Sequence, residues 1–189
     1  MNSKNNTIHP SSFVASESIG SGTQIWAFVN ILSGAKIGDN CNICDHCFIE
    51  NDVVIGNNVT LKCGIYLWDG IEIEDDVFIG PNVVFTNDIR PRSKQHKTPS
   101  RTFISKGASL GANTTILAGT HIGKYAMTGI ASVVTRDIPD YALVYGSPAK
   151  FHGWVDELGE KLIAVNESLW RSNSNKLYEL KDGILRPQQ

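Results

Sequence analysis

The chain has 189 residues, 41% of them hydrophobic, which is enough for one well-buried domain and asks for no second. A formal net charge of −2 excludes the basic face that nucleic acid or an anionic membrane would need, so neither is expected as a partner. Any anionic ligand must then be met by a few local Lys and Arg side chains.

In chain order, Met1 to Asn6 are polar and precede no apolar run, and no later segment is long and uncharged enough to span a bilayer. A cytoplasmic location is expected. From Ile19 an aliphatic residue returns at every sixth position: Ile19, Ile25, Ile31, Ile37, Ile43, Ile49, Ile55, Leu61, Leu67, Ile73 and Ile79, then Phe85. No amphipathic helix has that period, which is the mark of a repeat architecture. The series resumes at Ile104, Leu110, Ile116 and Ile122, slips to Thr128 and ends at Val134. The step of nineteen from Phe85 to Ile104 implies an insertion of about two hexads plus one residue.

Four places after each anchor stands a small or β-branched residue, as at Ala35, Cys41, Cys47, Val53, Val59, Ala108, Thr114, Thr120 and Ala126, which reads as a second inward position. Gly often follows the anchor, and Asn or Asp often sits three places after it; such residues tolerate the tight and left-handed backbone of a corner. The pattern predicts an all-β parallel β-helix over residues 1–150, a triangular prism with three hexads per coil. Residues eighteen apart then stack roughly 4.8 Å above one another.

Residues 86–103, with two prolines and five Lys or Arg, break the repeat and are expected to form a surface loop that contacts substrate. The tail, 151–189, carries Leu158, Leu162, Ile163, Val165 and Leu169 at a spacing that predicts a partly helical segment capping the prism or lying on a neighbouring subunit. The C-x-x-C-x-x-C run of Cys41, Cys44 and Cys47 invites a zinc site, but Cys41 and Cys47 fall in the small inward slot and Cys44 does not. No metal is expected, and the four cysteines are expected to be reduced.

The run HCFIENDVVIGNNVTLKCGIYLWDGIEIEDDVFIGPNVVFTNDIRPRS, residues 46–93, resembles the sugar 3-N-acetyltransferases that act on dTDP-linked 3-amino-3,6-dideoxyhexoses. KGASLGANTTILAGTHIGKYAMTGIASVVTRDIPD and VYGSPAK are similar to hexapeptide acetyltransferases more generally, and the resemblance covers nearly all of residues 8–153. It implies a left-handed winding, a homotrimer with sites between subunits, and acetyl transfer from acetyl-CoA for the sugars of surface polysaccharide, lipopolysaccharide or S-layer. A sister group acting on a UDP-linked 2-acetamido-3-amino-glucuronic acid shares FTN, PR and GWV, but often carries paired tail cysteines that GWVDELGEKL lacks. A non-catalytic hexapeptide scaffold is the reading from another class. A carbonic anhydrase of this fold is disfavoured, because no two of His9, His46, His96, His121 and His152 are five residues apart.

Eighteen-residue stacking puts His46 under Gly64 and Asn82, and sets Asn51, Asp69 and Asn87 in a second column flanked by Glu50, Trp68 and Thr86. The implied transfer needs an unprotonated amine, a thioester held beside it and stabilisation of a tetrahedral oxyanion. His46, an imidazole where neighbouring hexads have Asn, Asp or Gly, is the candidate base. Asn82 is a candidate to orient the amine or bond the oxyanion, and Asn87, Glu50 and Asp69 to hold the sugar's hydroxyls or amine. Trp68 points out of the prism, to stack on a pyrimidine or to pack against another subunit. Arg90 and Arg92 are candidates for the diphosphate. The resemblance further implies a pantetheine groove between two prisms, with Gly111, Gly129 and Ala131 at close-approach positions and Arg136 and Lys150 near the phosphates of CoA.

Overall fold

In a computed structural model, residues 5–95 and 97–188 are described; His96 lies outside them. The described residues form strands and turns without a helix, so none is available to cross a membrane. Most strands are two residues long, and they line up in three parallel faces.

The first face climbs from Thr7–Ile8 through Gln24–Ile25, Asn42–Ile43, Thr60–Leu61, Phe78–Ile79, Ser109–Leu110 and Met127–Thr128 to Ala142–Tyr145. The second runs from Phe13–Val14 through Asn30–Ile31, Phe48–Ile49, Tyr66–Leu67, Val84–Phe85 and Thr115–Ile116 to Val133–Val134. The third joins Lys36–Ile37, Val54–Ile55, Ile71–Ile73, Thr102–Ile104 and His121–Ile122. Register follows the anchors: Ile25 pairs with Ile43 and Ile43 with Leu61, each eighteen apart. Across the insertion Ile79 pairs with Leu110 and Ile73 with Ile104, thirty-one apart, so the excursion adds thirteen residues without disturbing either column.

The anchors from Ile25 to Phe85 and from Ile104 to Ile122 are buried, as are the small inward residues Ala35, Cys41, Cys47, Val53, Val59, Ala108, Thr114, Thr120 and Ala126. Each anchor side chain removed from water contributes on the order of 1.5–3 kcal/mol. Where the series slips, buried Thr128 keeps its hydroxyl satisfied against Thr114 Oγ1 at 3.1 Å and the Gly111 N–H at 3.0 Å.

Between the third face and the first, corner amides outside the ladder are met by Asn and Asp side chains from the coil above. Asn57 Oδ1 accepts the Asp39 N–H at 2.8 Å, and Asp75 Oδ1 accepts the Asn57 N–H at 2.6 Å. The next residue turns the chain in the left-handed region, with φ of 53° at Asn40, 57° at Asn58 and 61° at Asp76.

The insertion occupies 86–101, slightly less than the expected 86–103, because Thr102 and Phe103 already pair with Ile71 and Glu72. It folds back over the corner between the second and third faces. Ideal Cβ positions at Gly70 and Gly119 would meet Pro99 at 3.5 Å and Ser100 at 3.3 Å, so bare backbone there lets the loop lie close.

The tail corrects the expectation of helix. The strand Lys150–Trp154 closes the first face by antiparallel pairing, and Ile163–Ala164, Leu169–Arg171, Leu177–Lys181 and Ile184–Pro187 form a separate four-stranded antiparallel sheet. The anticipated stripe does not form, since Leu162 is buried but Leu158, Ile163 and Val165 are exposed. Turn chemistry overrides the helical spacing. Asn166 Oδ1 takes the N–H groups of Ser168 and Leu169, and Asp182 and Gly183, with φ of 52° and 75°, make a two-residue hairpin turn.

Candidate functional site

The corner between the first and second faces carries His46. Its column reads Phe28, His46, Gly64, Asn82, Asn113 and Ala131, all with φ between 55° and 75°. The corner is pinned from coil to coil: the His46 N–H donates to Ala27 O at 3.2 Å, Gly64 N–H to Asp45 O at 3.1 Å and Asn82 N–H to Cys63 O at 3.0 Å. His46 and Asn82 are exposed, and among the described residues neither the imidazole nitrogens nor the carboxamide has a hydrogen-bond partner. Both are free to engage a ligand. Between them Gly64 leaves a bare rung, and a Cβ there would stand 2.5 Å from Asn82 Oδ1. Sequence reasoning placed Gly64 in this column without giving it a role; its juxtaposition with Asn82 supplies one. The imidazole also stacks on Phe28, with ring centroids 5.1 Å apart and an interplanar angle of 14°. The corner signal in the sequence did not single out Phe28.

Glu50, Trp68, Asp69 and Asn87 gather at the other edge of the second face. Glu50 Oε2 accepts the Asp69 N–H at 2.7 Å, and Asp69 Oδ1 accepts the Asp52 N–H at 2.7 Å. Each carboxylate thus uses one oxygen as a corner brace and keeps the other. Trp68 is half-buried, donates its indole N–H to Phe85 O at 2.8 Å and sits within 6.1 Å, centroid to centroid, of both Phe48 and Tyr66. Its edge is therefore tied to the coil above. Asn87 is exposed, makes no side-chain hydrogen bond among the described residues, and opens on a cavity of about 280 Å³ with Asp88, Arg90, Lys97 and Ser100.

The loop is braced from within. Lys97 Nζ donates to Arg90 O at 2.8 Å and pairs with Asp88 at 3.7 Å, while the Arg92 guanidinium turns back to Pro91 O. Where the loop returns, Arg101 bridges Asp52 at 3.2 Å and Glu72, and these carboxylates push the guanidinium's pKa above its ordinary range. Arg101 was not among the sequence candidates, because only the fold brings it to residues twenty-nine and forty-nine positions away.

One prism does not bring the two groups of candidates together. His46 and Glu50 are separated by the width of the second face, roughly 13 Å of extended chain. Phe48, Tyr66 and Val84 lie outward between them, the last two exposed.

At the same corner, two residues before each rung of the Asn82, Asn113 and Ala131 column, runs a column of glycines, while Asn113 and the exposed Ile130 still carry side chains. Gly80, Gly111 and Gly129 follow one another, and Cβ atoms would meet Ala112 N at 2.8 Å, Thr128 O at 2.7 Å and Tyr145 Cβ at 2.7 Å. These glycines have a packing reason to be there, and together they leave a smooth track that runs beside Ala131. Arg136 and Lys150 line a cleft of about 490 Å³ with Val134, Ile138, Phe151 and Trp154 at the upper end of the prism.

The cysteines separate by register. Cys41 and Cys47 are buried with their thiols aimed at the carbonyls of Gly56 and Lys62; burial pushes Cys47 up to about 12. Cys44 is half-buried and Cys63 exposed. Among the described residues, no group of three or more His, Cys, Asp or Glu is placed to hold a metal ion.

The bacterial transferase hexapeptide (six repeats) family model matches residues 18–51 and 52–87. A dTDP-3-amino-3,6-dideoxy-alpha-D-galactopyranose 3-N-acetyltransferase from Aneurinibacillus thermoaerophilus is 58% identical over 180 residues, covering 94% of this chain and 93% of its own. Among solved structures, AntD, an N-acyltransferase from Bacillus cereus in complex with dTDP and coenzyme A, superposes with a TM-score of 0.58 at 18% identity, over 80% of this chain and 81% of its own, and shows the shared fold. WeeI from Acinetobacter baumannii AYE gives 0.52 at 26% identity, over 77% of this chain and 57% of its own. With more than half of its residues identical to that transferase along almost the whole of both chains, this protein belongs to the hexapeptide-repeat nucleotide-sugar N-acetyltransferases, and its prism is a left-handed parallel β-helix.

Proposed function

We propose that this protein transfers the acetyl group of acetyl-CoA to the 3-amino group of a dTDP-3-amino-3,6-dideoxyhexose of galacto configuration. The observation that carries the proposal is the 58% identity, over nearly all of both chains, to the transferase named for that sugar. The corner chemistry supports it. The amine nitrogen attacks the thioester carbonyl, a C–N bond forms and the C–S bond breaks. His46 takes the proton shed by nitrogen, and the departing thiolate is protonated to give free CoA. Asn82, whose carboxamide is unspent, steadies the oxyanion or the amine across the gap at Gly64.

The sugar is held from the loop side by Asn87 and by the free oxygens of Glu50 and Asp69, with Arg90 and Arg92 directed at the diphosphate and Trp68 as a fixed aromatic wall. CoA follows the track of Gly111, Gly129 and Ala131, and Arg136 and Lys150 meet its phosphates. Because His46 and the loop stand at opposite edges of one face, a complete site needs the loop side of a neighbouring prism. We therefore read the working form as a homotrimer with sites between subunits. The reaction is cytoplasmic, where acetyl-CoA and nucleotide sugars are available, and serves surface polysaccharide synthesis.

The test is acetyl transfer to a panel of dTDP- and UDP-linked 3-amino sugars, with the product read by mass so that exposed Cys63 does not interfere as it would in a thiol assay. Turnover of the dTDP-3-amino-3,6-dideoxygalactose well above the gluco epimer and the UDP-glucuronic analogue is expected. Preference for the UDP sugar would move the protein to the sister group, and no transfer to any would leave the scaffold reading.

A further inference from the structure

We infer that Phe28 is a positioning residue for acetyl transfer: its ring, stacked on the His46 imidazole at 5.1 Å, holds that imidazole at the corner below the Gly64 gap. The inference rests on the reading of His46 as the group that takes the amine proton. Three observations converge on it.

First, Phe28 stands where its backbone is disfavoured. Its φ is 59°, in the left-handed region that bulky side chains avoid, and the upper rungs of the same corner are Gly64, Asn82, Asn113 and Ala131. Asn or Gly at residue 28 would suit the turn better. Phe28 and His46 are the two large side chains in this column, on adjacent rungs, with their rings nearly parallel at 14°.

Second, burial does not account for the choice. Phe28 is 59% exposed, so its ring is largely absent from the core. Third, the coil beneath is built to hold the strained corner. Ser11 Oγ accepts the Phe28 N–H at 3.2 Å, Ser12 Oγ accepts the Val29 N–H at 3.1 Å, and Ser12 also donates to Trp26 O at 2.5 Å. His9 Nδ1 in turn hydrogen-bonds Ser11 Oγ at 2.8 Å. An unfavourable conformation fixed from several sides, beneath the imidazole, is the pattern expected where strain serves function. The His46 ring has no hydrogen-bond partner among the described residues, so this stack is the contact that limits its rotation.

The decisive variant is Phe28→Asn, which suits the left-handed corner and removes the ring. We expect thermal stability and oligomeric state to be kept, kcat to fall roughly tenfold or more through misplacement of the imidazole, and KM for both substrates to stay within about twofold. Phe28→Tyr, which keeps the stacking face, should recover most of kcat. The His46 ring proton signals should lose their ring-current displacement in Phe28→Asn and keep it in Phe28→Tyr. The proposal is overturned if Phe28→Asn keeps parental kcat, if Phe28→Tyr is as slow as Phe28→Asn, or if the loss of rate tracks a loss of folding or assembly. His46→Asn separates this from the underlying reading. If it retains full turnover, the role of His46 fails; if it is inactive while Phe28→Asn is fully active, only the positioning role fails.

Discussion

Asn82 reaches into the rung that Gly64 leaves bare, its Oδ1 standing 2.5 Å from the place a Cβ at residue 64 would take. The glycine meets two demands at once, a φ of 75° and room for its neighbour's carboxamide. Gly64→Ala therefore strains the corner, at a cost of about 1–2 kcal/mol, and pushes the Asn82 side chain aside. A modest fall in melting temperature with a drop in kcat of roughly tenfold is the expected pair of results. Unchanged kcat in a folded Gly64→Ala protein would show that the carboxamide does not act from this position.

Arg101 closes the loop without belonging to the core. Its guanidinium bridges Asp52 and Glu72 at the point where the chain re-enters the prism, and all three side chains are well exposed. Exposed pairs contribute little to global stability, so Arg101→Met should leave the melting temperature nearly unchanged. The loop it tethers should loosen, seen as faster proteolytic nicking within 86–101 and a several-fold higher KM for the nucleotide sugar. An unaltered KM would separate the loop from sugar binding.

Why the coil stack was legible in the sequence and the tail was not follows from how each is held. Anchors such as Ile25, Ile43 and Leu61 face inward because a period of six admits no other arrangement, and the thirteen-residue insertion could be measured from the step between Phe85 and Ile104. The His46, Gly64 and Asn82 column came from the same arithmetic. It also sets Asn51, Asp69 and Asn87 in a separate column on an adjoining face and leads one to expect a cleft joining it to His46 where the loop leaves; that the width of the second face, with Tyr66 and Val84 exposed upon it, keeps the two apart on one prism is what the structure adds. In the tail, a helical spacing of Leu158, Leu162 and Leu169 competed with turn signals at Asn166 and at Asp182–Gly183, and the turns prevailed. Arg101 carries no sequence signal of its own, since its partners are set by the fold, whereas Phe28 stands eighteen residues before His46 and so falls in the same column by the same arithmetic; only the stacking of its ring on the imidazole needed the structure.

Cys47 gives the prism an alkaline limit. Burial raises its thiol from the ordinary 9.0 to about 12, so the folded state keeps it protonated where the unfolded chain would ionise. For a raised folded pKa, the stabilising contribution is complete below pH 9 and is lost as pH rises toward 12. Unfolding of the coils followed by circular dichroism should show stability falling across that window, and Cys47→Val, which removes the ionisable group from a buried slot, should lessen the fall, with Cys41, Tyr141 and Tyr178, all raised by burial, carrying the rest. A Cys47→Val protein with the same alkaline profile would assign the loss to other groups.

Glu157 fastens the tail sheet to the prism. Its carboxylate accepts hydrogen bonds from Lys176 Nζ at 2.7 Å, Tyr178 OH at 2.5 Å and Tyr141 OH at 3.4 Å, and Tyr178 is fully buried. Burial alone would raise the carboxyl, but the bonds from Lys176 and Tyr178 outweigh it and hold Glu157 below the usual carboxylate range. A depressed folded pKa means the contribution is present above the unfolded value, about 4.3, and disappears as pH falls through the folded one. The tyrosines act in the opposite sense. Burial and the adjacent carboxylate push Tyr141 and Tyr178 above their ordinary value, so their contribution is complete below about pH 10 and is lost as pH rises beyond it. Amide exchange in 163–187 should therefore accelerate at both extremes, and at the acid one the lower coils should stay protected. Glu157→Gln should expose the tail already at neutral pH and abolish the acid limb, because no carboxylate remains to be protonated. Equal protection of the tail in parent and Glu157→Gln proteins across pH 3–7 would mean that apolar packing around Tyr178 and Leu185 alone holds the sheet in place.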